Sequence, residues 1–215
     1  FPNPEEPGAI DLALETAKAF DAHLVIANDP DADRCAAAVN DPVTGWRMLR
    51  GDELGAIFAE SIARKIESGI FANSIVSSSI VRKIAAHYKL DFKETLTGFK
   101  WLAKIENLTF GYEEALGYAV DAVTVNDKDG ISAAITLAQI ATDLAAEGKT
   151  LLDLLDEIWA RHGFHATEQI SIRLSDLSKV GVILGGLRSN PPKEIAGRAV
   201  TSIDDLATPT DGLPP

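Results

Sequence analysis

Short apolar runs alternate with segments of helical periodicity along most of this chain, and this alternation limits the possible folds more than any other feature. A helical pattern over residues 9–20 is followed by apolar runs at His23–Ala27 and Cys35–Val39. Apolar residues at helical spacing predict an amphipathic helix, whereas short apolar runs between turn residues predict strands. A chain that mixes the two in this order belongs to the α/β class, and we expect mixed sheets with flanking helices.

The same alternation of strand-like and helix-like patterns starts again after Arg50. Asp52 is a candidate cap for a helix, and the pattern then predicts strands at 74–78 and 108–112 and helices at 81–88, 98–105, 131–146 and 151–162. We therefore predict an α/β unit over residues 1–49 and a second over 50–165. Residues 166–215 are predicted to be a linker and the start of a third unit, with a strand at 170–174 and a turn-rich tail at 208–215.

Charge and composition exclude several classes of partner. The net charge of −12 argues against nucleic acid, because binding a phosphate backbone requires a basic surface. An anionic substrate would need a metal ion or a few local cations. No apolar run reaches the ~18 residues of a membrane span, and the N-terminus has no secretory pattern. Cys35 is the only cysteine, so we expect no membrane association and a reducing, cytoplasmic location.

The strongest chemical signal is the segment Asp29-Pro30-Asp31-Ala32-Asp33-Arg34 between the first two predicted strands. Carboxylates at alternate positions of a tight loop can converge on one hard cation, and Mg²⁺ and Ca²⁺ both prefer oxygen ligands. An acidic surface turn and a calcium loop are the alternatives. The segment does not fit an EF-hand, which has Gly at the sixth position of its loop and Glu at the twelfth. Counted from Asp29, this sequence has neither residue at those positions. Three ligands in an open site favour Mg²⁺ whose coordination is completed by a substrate phosphate.

Four further polar segments lie at the ends of predicted strands and helices. Arg34 could bind a phosphate or balance the aspartates, and Glu113 and Glu114 could accept sugar hydroxyls or be solvated loop acids. Side chains of adjacent residues in an extended chain diverge, so one of the two glutamates should face the site. Thr97-Gly98 before a helix, and Lys128 in an Asp-Lys-Asp-Gly turn, could bind an anion or be ordinary caps and turns.

Together these segments resemble the α-D-phosphohexomutase superfamily of phosphoglucomutases and phosphomannomutases. The resemblance rests on Asp29–Arg34, on Thr97-Gly98-Phe99-Lys100-Trp101, on Glu113–Gly117 and on Asp127–Ser132, in the family's order and near its spacing. The N-terminal Phe-Pro-Asn-Pro-Glu-Glu is similar to part of the family's second domain. The match covers nearly the whole chain and implies phosphohexomutase-type middle domains: part of domain 2, domain 3 and the start of domain 4.

By residue, the resemblance implies Mg²⁺ bound by Asp29, Asp31 and Asp33. It implies catalytic roles near the phosphate for Arg34 and Lys128, and substrate contacts from a further set, namely Thr97, Gly98, Glu113 and Lys128. Ala115 stands where many members have serine, which removes one hydroxyl contact to the sugar.

The family interconverts hexose 1-phosphates and 6-phosphates through a phosphoserine and a bisphosphate intermediate. No counterpart of the phosphoserine loop or of the last phosphate-binding loop is found in this sequence. The resemblance therefore implies a part of a mutase that is inactive alone, with a sugar phosphate and the remaining domains of the same parent chain as its partners. The alternatives are a free-standing metal- or sugar-phosphate-binding module, an unrelated Mg²⁺ phosphatase with an aspartyl nucleophile, and pentose phosphate specificity in the parent.

Overall fold

The structure is a computed structural model that describes residues 3–6, 8–168 and 174–206. The chain divides into two compact units, the first ending at Thr167 and the second beginning at Glu168. The helices of the first unit are α1 (Asp11–Ala19), α2 (Gly51–Ala63), α3 (Ile80–His87), α4 (Phe99–Leu102), α5 (Gly130–Ala146) and α6 (Leu151–His162). Its strands are β1 (Leu24–Asn28), β2 (Cys35–Asp41), β3 (Gly45–Met48), β4 (Ile70–Ser74), β5 (Asp91–Thr95), β6 (Leu108–Glu113) and β7 (Gly117–Ala119).

The first sheet is an antiparallel meander of β1, β2 and β3. Helix α1 packs on one face of it through a small cluster that contains Ala17, Val25 and Ala38. The pairing of Asn28 with Cys35 ends the β1–β2 ladder and leaves the acidic segment as the loop between the two strands. Strand β2 is buried from Cys35 to Val39, which fixes the base of that loop rigidly.

The second sheet has four strands in the order β5-β4-β6-β7, with β4 parallel to both β5 and β6, and β7 antiparallel to β6. Helices α2, α3 and α6 belong to the larger core and α4 to a smaller one built on Phe99 and Leu102. Since parallel strands end at one edge, the residues after β4, β5 and β6 meet there. This mixed α/β architecture confirms the predicted fold class.

Helix α5 contacts β1 and β2 of the first sheet and β7 of the second. The larger core accordingly includes Cys35 and Ala36 from β2 together with Phe110 and Tyr112 from β6. The domain boundary near Arg50 stays a prediction. Because α5 and this core contact both sheets, the loops at the ends of the strands of both sheets are held in one packed unit.

Most predicted elements occur within a few residues of their expected positions, but two of the expected elements were wrong. The strand expected at 74–78 ends at Ser74, because the apolar and more buried segment is Ile70–Ser74 and the serines beyond it form a loop. The helix expected at 98–105 is a single turn over Phe99–Leu102. The sequence pattern did not predict the short strands β3, β5 and β7, and β5 is an edge strand whose polar residues hide its periodicity.

Asp52 does not cap α2, because Arg50 occupies the cap position and donates its N–H to Glu53 Oε2 at 2.9 Å. Its buried carboxylate instead accepts hydrogen bonds from the Ser78 N–H and the Tyr112 hydroxyl, each at 2.8 Å. Asp52 therefore ties the start of α2 to β6 and to the loop after β4.

The fully buried Glu60 in α2 anchors α6. Its carboxylate accepts hydrogen bonds from the Tyr88 hydroxyl at 2.8 Å and Arg64 Nε at 3.0 Å, and it also contacts the Arg161 guanidinium and the His162 ring. Burial acts to raise the pKa of Glu60, but these hydrogen bonds and the two arginines hold the pKa below its ordinary value. Glu60 is thus an ionised group inside the core, where unpaired charge is costly.

The second unit contains α7 (Lys179–Ser189) and a hairpin of β8 (Glu194–Ile195) and β9 (Arg198–Ala199), none of which the sequence pattern predicted. No residue of α7 is buried. The strand predicted at 170–174 lies outside the described residues except for Leu174, and so does the predicted tail. Within the described ranges, no helix has the length and apolar character needed to cross a membrane.

Candidate functional site

Three aspartates converge in the loop between β1 and β2. One carboxylate oxygen each from Asp29, Asp31 and Asp33 lies within 4.8 Å of the other two. The loop can turn this tightly because Ala32 adopts a left-handed backbone with φ of 58° and the Ala32 N–H donates to the Asp29 carbonyl at 2.9 Å. Asp29 is buried, whereas Asp31 is exposed. The loop therefore presents a partly open cluster of carboxylate oxygens.

Arg34 braces the buried end of this cluster. Its backbone N–H donates to Asp29 Oδ1 at 3.0 Å and its Nε to Asp29 Oδ2 at 2.6 Å, while Asp33 Oδ1 is 3.8 Å from the same Nε. Burial acts to raise the pKa of Asp29, but the two hydrogen bonds and the charge of Arg34 hold it below its usual value. Asp29 is thereby ionised and fixed in orientation.

Lys128 brings a second cation to the same cluster from the loop before α5. Its Nζ lies 2.6 Å from Asp33 Oδ2. Burial acts to lower the pKa of Lys128, but the hydrogen bond and the negative charge of Asp33 raise it above its ordinary value. The helix behind it is capped by Asp129, whose carboxylate accepts the N–H groups of Ile131 and Ser132. The Asp-Lys-Asp-Gly turn is therefore both a helix cap and a carrier of site charge.

Backbone hydrogen bonds join the acidic loop to the loops of the second sheet. The Gly130 N–H donates to the Ala32 carbonyl at 3.0 Å, and the Cys35 N–H donates to the Leu116 carbonyl at 3.0 Å. Arg34 also forms an isolated antiparallel bridge with Gly117. These bonds fix the spacing between the acidic loop and the turn after β6, because backbone groups cannot rotate away as side chains can.

Gly130 is required at this junction for steric reasons. A Cβ added there would lie 2.3 Å from the Arg34 carbonyl oxygen, 2.5 Å from Asn28 Nδ2 and 2.7 Å from the Ala32 carbonyl oxygen. The first turn of α5 can therefore press against the acidic loop only without a side chain.

Glu113 lies at the carboxyl end of β6, and its Oε1 accepts the Gly98 N–H at 2.6 Å. Burial and the charge of Glu114 raise the pKa of Glu113, while the Gly98 hydrogen bond and the charge of Lys128 act in the opposite direction. Gly98 itself has φ of 113°, a conformation that favours glycine, and it precedes α4. The turn after β5 and the end of β6 thus form one polar wall.

Glu114 points elsewhere. Its Oε2 accepts hydrogen bonds from the Ser77 hydroxyl at 2.7 Å and the Ser74 hydroxyl at 3.2 Å, both in the segment that ends and follows β4. The two adjacent glutamates therefore bind different partners, as the alternation of an extended chain predicts. The sequence analysis named Asp52 only as a helix cap and missed Ser74 and Ser77, although a serine run directly after a buried strand marks the sheet edge where such groups collect.

The sequence-predicted residues form two adjoining groups. Asp29, Asp31, Asp33, Arg34 and Lys128 surround the acidic loop. Gly98 and Glu113 form the polar wall, with the exposed Thr97 next to Gly98 in the chain. Lys128 links the groups, since its Nζ lies 2.6 Å from Asp33 Oδ2 and its charge acts to lower the pKa of Glu113, which burial raises.

The donor set of the acidic loop fits a magnesium ion. Mg²⁺ prefers carboxylate oxygens in octahedral geometry at about 2.1 Å, which places ligand oxygens roughly 3–4 Å apart. The three aspartate oxygens, at up to 4.8 Å, need to move by less than about 1 Å to reach that spacing. Because Asp31 is exposed, the cluster is open to solvent on that side, where a phosphate could reach an ion held by the three aspartates.

Comparison with known proteins places this chain in a family. Residues 50–162 match the model of the phosphoglucomutase/phosphomannomutase alpha/beta/alpha domain III, and residues 1–45 match that of alpha/beta/alpha domain II. The chain therefore belongs to the phosphoglucomutase/phosphomannomutase family.

Curated relatives carry the names of phosphosugar mutases. A probable phosphomannomutase of Haemophilus influenzae is 48% identical over 211 residues, covering 97% of this chain and 44% of that protein. A phosphopentomutase of Mus musculus is 34% identical over 239 residues, covering 100% of this chain and 38% of that protein. The chain thus spans less than half the length of either relative.

Solved structures share the fold. A phosphoglucomutase/phosphomannomutase family protein from Burkholderia thailandensis superposes with a TM-score of 0.65 at 18% identity, covering 93% of this chain and 40% of that one. The Paramecium parafusin, a phosphoglucomutase in its open form, gives a TM-score of 0.66 at 23% identity, with 87% and 34% covered.

Proposed function

We propose that this chain forms the metal-binding and sugar-binding part of a Mg²⁺-dependent phosphosugar mutase, which moves a phosphoryl group between two oxygens of a sugar phosphate. The observation that carries the proposal is the contact between the acidic loop, the turn after β6 and the loop before α5. Backbone hydrogen bonds link the three, with Lys128 Nζ on Asp33 at their meeting point. Phosphoryl transfer depends mainly on such positioning of charge.

At the acidic loop, Asp29, Asp31 and Asp33 hold the ion, which when bound stabilises negative charge on phosphate oxygens. Arg34, held in place by Asp29, and Lys128 add positive charge beside the transferring group. Both cations are about a quarter exposed on their side chains, at 22% and 28%, so a substrate can reach them. Lys128 exchanges its contact with Asp33 for one with the substrate.

Along the polar wall, Glu113 accepts hydrogen bonds from sugar hydroxyls. One of its oxygens is already occupied by the Gly98 N–H, which orients the carboxylate and leaves the second oxygen for the sugar. Thr97 and Gly98 contact the substrate from the turn before α4, and Lys128 contacts it from the loop before α5. This arrangement binds the sugar between two fixed loops.

In the intact protein, a phosphoserine from outside this chain gives its phosphoryl group to the sugar phosphate. The resulting bisphosphate reorients and returns its other phosphoryl group to the serine. The isolated chain is therefore inactive and depends on the other domains of its parent, which we assign to the cytoplasm on the strength of its buried lone thiol, Cys35.

The test is a mutase assay of the whole protein that carries this sequence, with hexose 1-phosphates and Mg²⁺. Asp31→Asn should lower kcat/KM by at least about 100-fold, since it removes a metal ligand charge, whereas the matched Asp156→Asn, an exposed carboxylate on α6, should stay within about twofold. Absence of mutase activity on every sugar phosphate would leave only a binding module.

A pentose phosphate is the second candidate substrate. Ala115, exposed in the turn after β6, offers no hydroxyl to a sugar, and several relatives are named phosphopentomutase or phosphoribomutase. The same assay with ribose 1-phosphate separates the candidates: a kcat/KM ratio above about 10 in favour of the pentose would assign the parent to that class. Ala115→Ser should then shift the ratio towards hexose.

A further inference from the structure

The turn between β6 and β7 contains a strained backbone conformation. Glu113 pairs with Gly117, so Glu114, Ala115 and Leu116 make the connection. Leu116 adopts a left-handed backbone with φ of 66°, which a residue with a branched side chain rarely takes. Such a conformation persists only where surrounding contacts enforce it.

Glu114 supplies a closed set of such contacts. The Ser77 hydroxyl donates to Glu114 Oε2 at 2.7 Å, and the Ser77 oxygen accepts the Glu114 backbone N–H at 3.1 Å. Ser74 Oγ lies 3.2 Å from the same carboxylate oxygen and 2.8 Å from Ser77 Oγ. Both serines are buried, so the carboxylate satisfies hydroxyl groups that have little access to water.

The backbone of Glu114 is held on its other side by α2. A Cβ added to Gly51 would lie 1.7 Å from the Glu114 carbonyl oxygen, so the helix start is packed directly against the turn. Two residues further along the chain, the Leu116 carbonyl accepts a hydrogen bond from the Cys35 N–H, which lies beside the acidic loop. The turn is thus fixed between the loop after β4, α2 and the acidic loop.

We propose that Glu114 is a positioning residue of the mutase site: through Ser74 and Ser77 it fixes the turn that presents the Glu113 carboxylate to the sugar. This inference rests on the sugar-binding role proposed above for Glu113. Glu114 touches neither substrate nor metal. Its effect is exerted through the backbone it shares with Glu113, one peptide bond away.

The test is a double-mutant cycle in the whole protein with a sugar phosphate substrate. Glu114→Ala removes the acceptor and should lower kcat/KM by about 5- to 30-fold, chiefly through a higher KM. Glu114→Gln retains an acceptor oxygen for Ser77 and should recover at least half of the activity. Ser77→Ala leaves Glu114 in place but removes the hydroxyl that donates to it, and it should reproduce most of the loss in kcat/KM. This second variant tests the same contact if Glu114→Ala fails to fold.

The decisive measurement is Glu114→Ala in a Glu113→Ala background. If Glu114 acts through Glu113, the second substitution should change kcat/KM by less than about twofold, because the group it positions is already gone. Fully multiplicative losses would mean a general structural role and would overturn the inference, as would wild-type activity of both Glu114→Ala and Ser77→Ala.

The outcomes also separate this inference from the proposed function. A parent protein without mutase activity on any sugar phosphate removes both. An active parent in which Glu113→Ala is damaging and Glu114→Ala is silent retains the proposed function and removes only the positioning role.

Discussion

The replacement of Gly130 by alanine tests most directly whether the acidic loop depends on α5. The added Cβ would lie 2.3 Å from the Arg34 carbonyl oxygen, and ordinary van der Waals contact begins at 3.4 Å, so the two segments must separate by about 1.1 Å, that is 3.4 − 2.3. The obstructing atoms include two backbone carbonyl oxygens, which have no rotamer to change. The hydrogen bond from the Gly130 N–H to the Ala32 carbonyl should be lost as well.

The expected magnitude follows from three terms. Overpacking costs ~1–3 kcal/mol and a lost backbone hydrogen bond costs ~1 kcal/mol, while alanine gains ~1 kcal/mol over glycine in a helix. We expect a net destabilisation of ~1–3 kcal/mol in urea titrations. Because the carboxylates of the acidic loop would shift by a comparable distance, Mg²⁺ affinity should fall by about 10- to 100-fold, as for other supports of metal ligands.

Titration calorimetry with Mg²⁺ measures the second effect. The matched control is Gly186→Ala, a glycine within α7 with no atom within 4 Å of an added Cβ, which should leave metal affinity unchanged. If Gly130→Ala bound Mg²⁺ as tightly as the wild type and unfolded at the same urea concentration, the packing of α5 against the acidic loop would not be what shapes the site.

Three other predictions concern charge. Glu60→Gln should lower the free energy of unfolding in urea by ~2–4 kcal/mol, whereas the surface variant Glu157→Gln should lower it by under ~0.5 kcal/mol. Because the pKa of Glu60 is lowered in the folded protein, its contribution to stability should be lost as the pH falls through that pKa. Lys128→Met should tighten Mg²⁺ binding by about two- to fivefold in calorimetry by releasing Asp33, and weaker binding would contradict this. Glu113→Gln should lower kcat/KM by about 5- to 150-fold. The variant should nevertheless melt at the same or a higher temperature at pH 7, because burial raises the pKa of this carboxyl and its ionised form therefore destabilises the folded protein. At low pH the carboxyl is protonated, and the difference in melting temperature should vanish.

Periodicity predicted those elements whose burial is one-sided or complete. Helices α5 and α6 occur where expected because their apolar residues repeat at helical spacing and both have side-chain caps, Asp129 and Thr150. The strand expected at 74–78 failed because apolar content alone cannot separate a strand from the loop beyond it. In that loop Ser77 and Ser78 are buried for their hydrogen bonds rather than for packing.

The sequence by itself determined the chemistry available at the site: three alternating aspartates, an arginine and a lysine in turns, and two adjacent glutamates after a strand. It determined the α/β class as well, since local periodicity depends only on neighbouring residues. Only the tertiary structure decided that Lys128 meets Asp33, that Glu113 binds Gly98 and Glu114 binds Ser77, and that Gly130 and Leu116 join the loops. These contacts link residues far apart in the chain, and they form because α5 packs against both sheets, a long-range arrangement that no local pattern encodes.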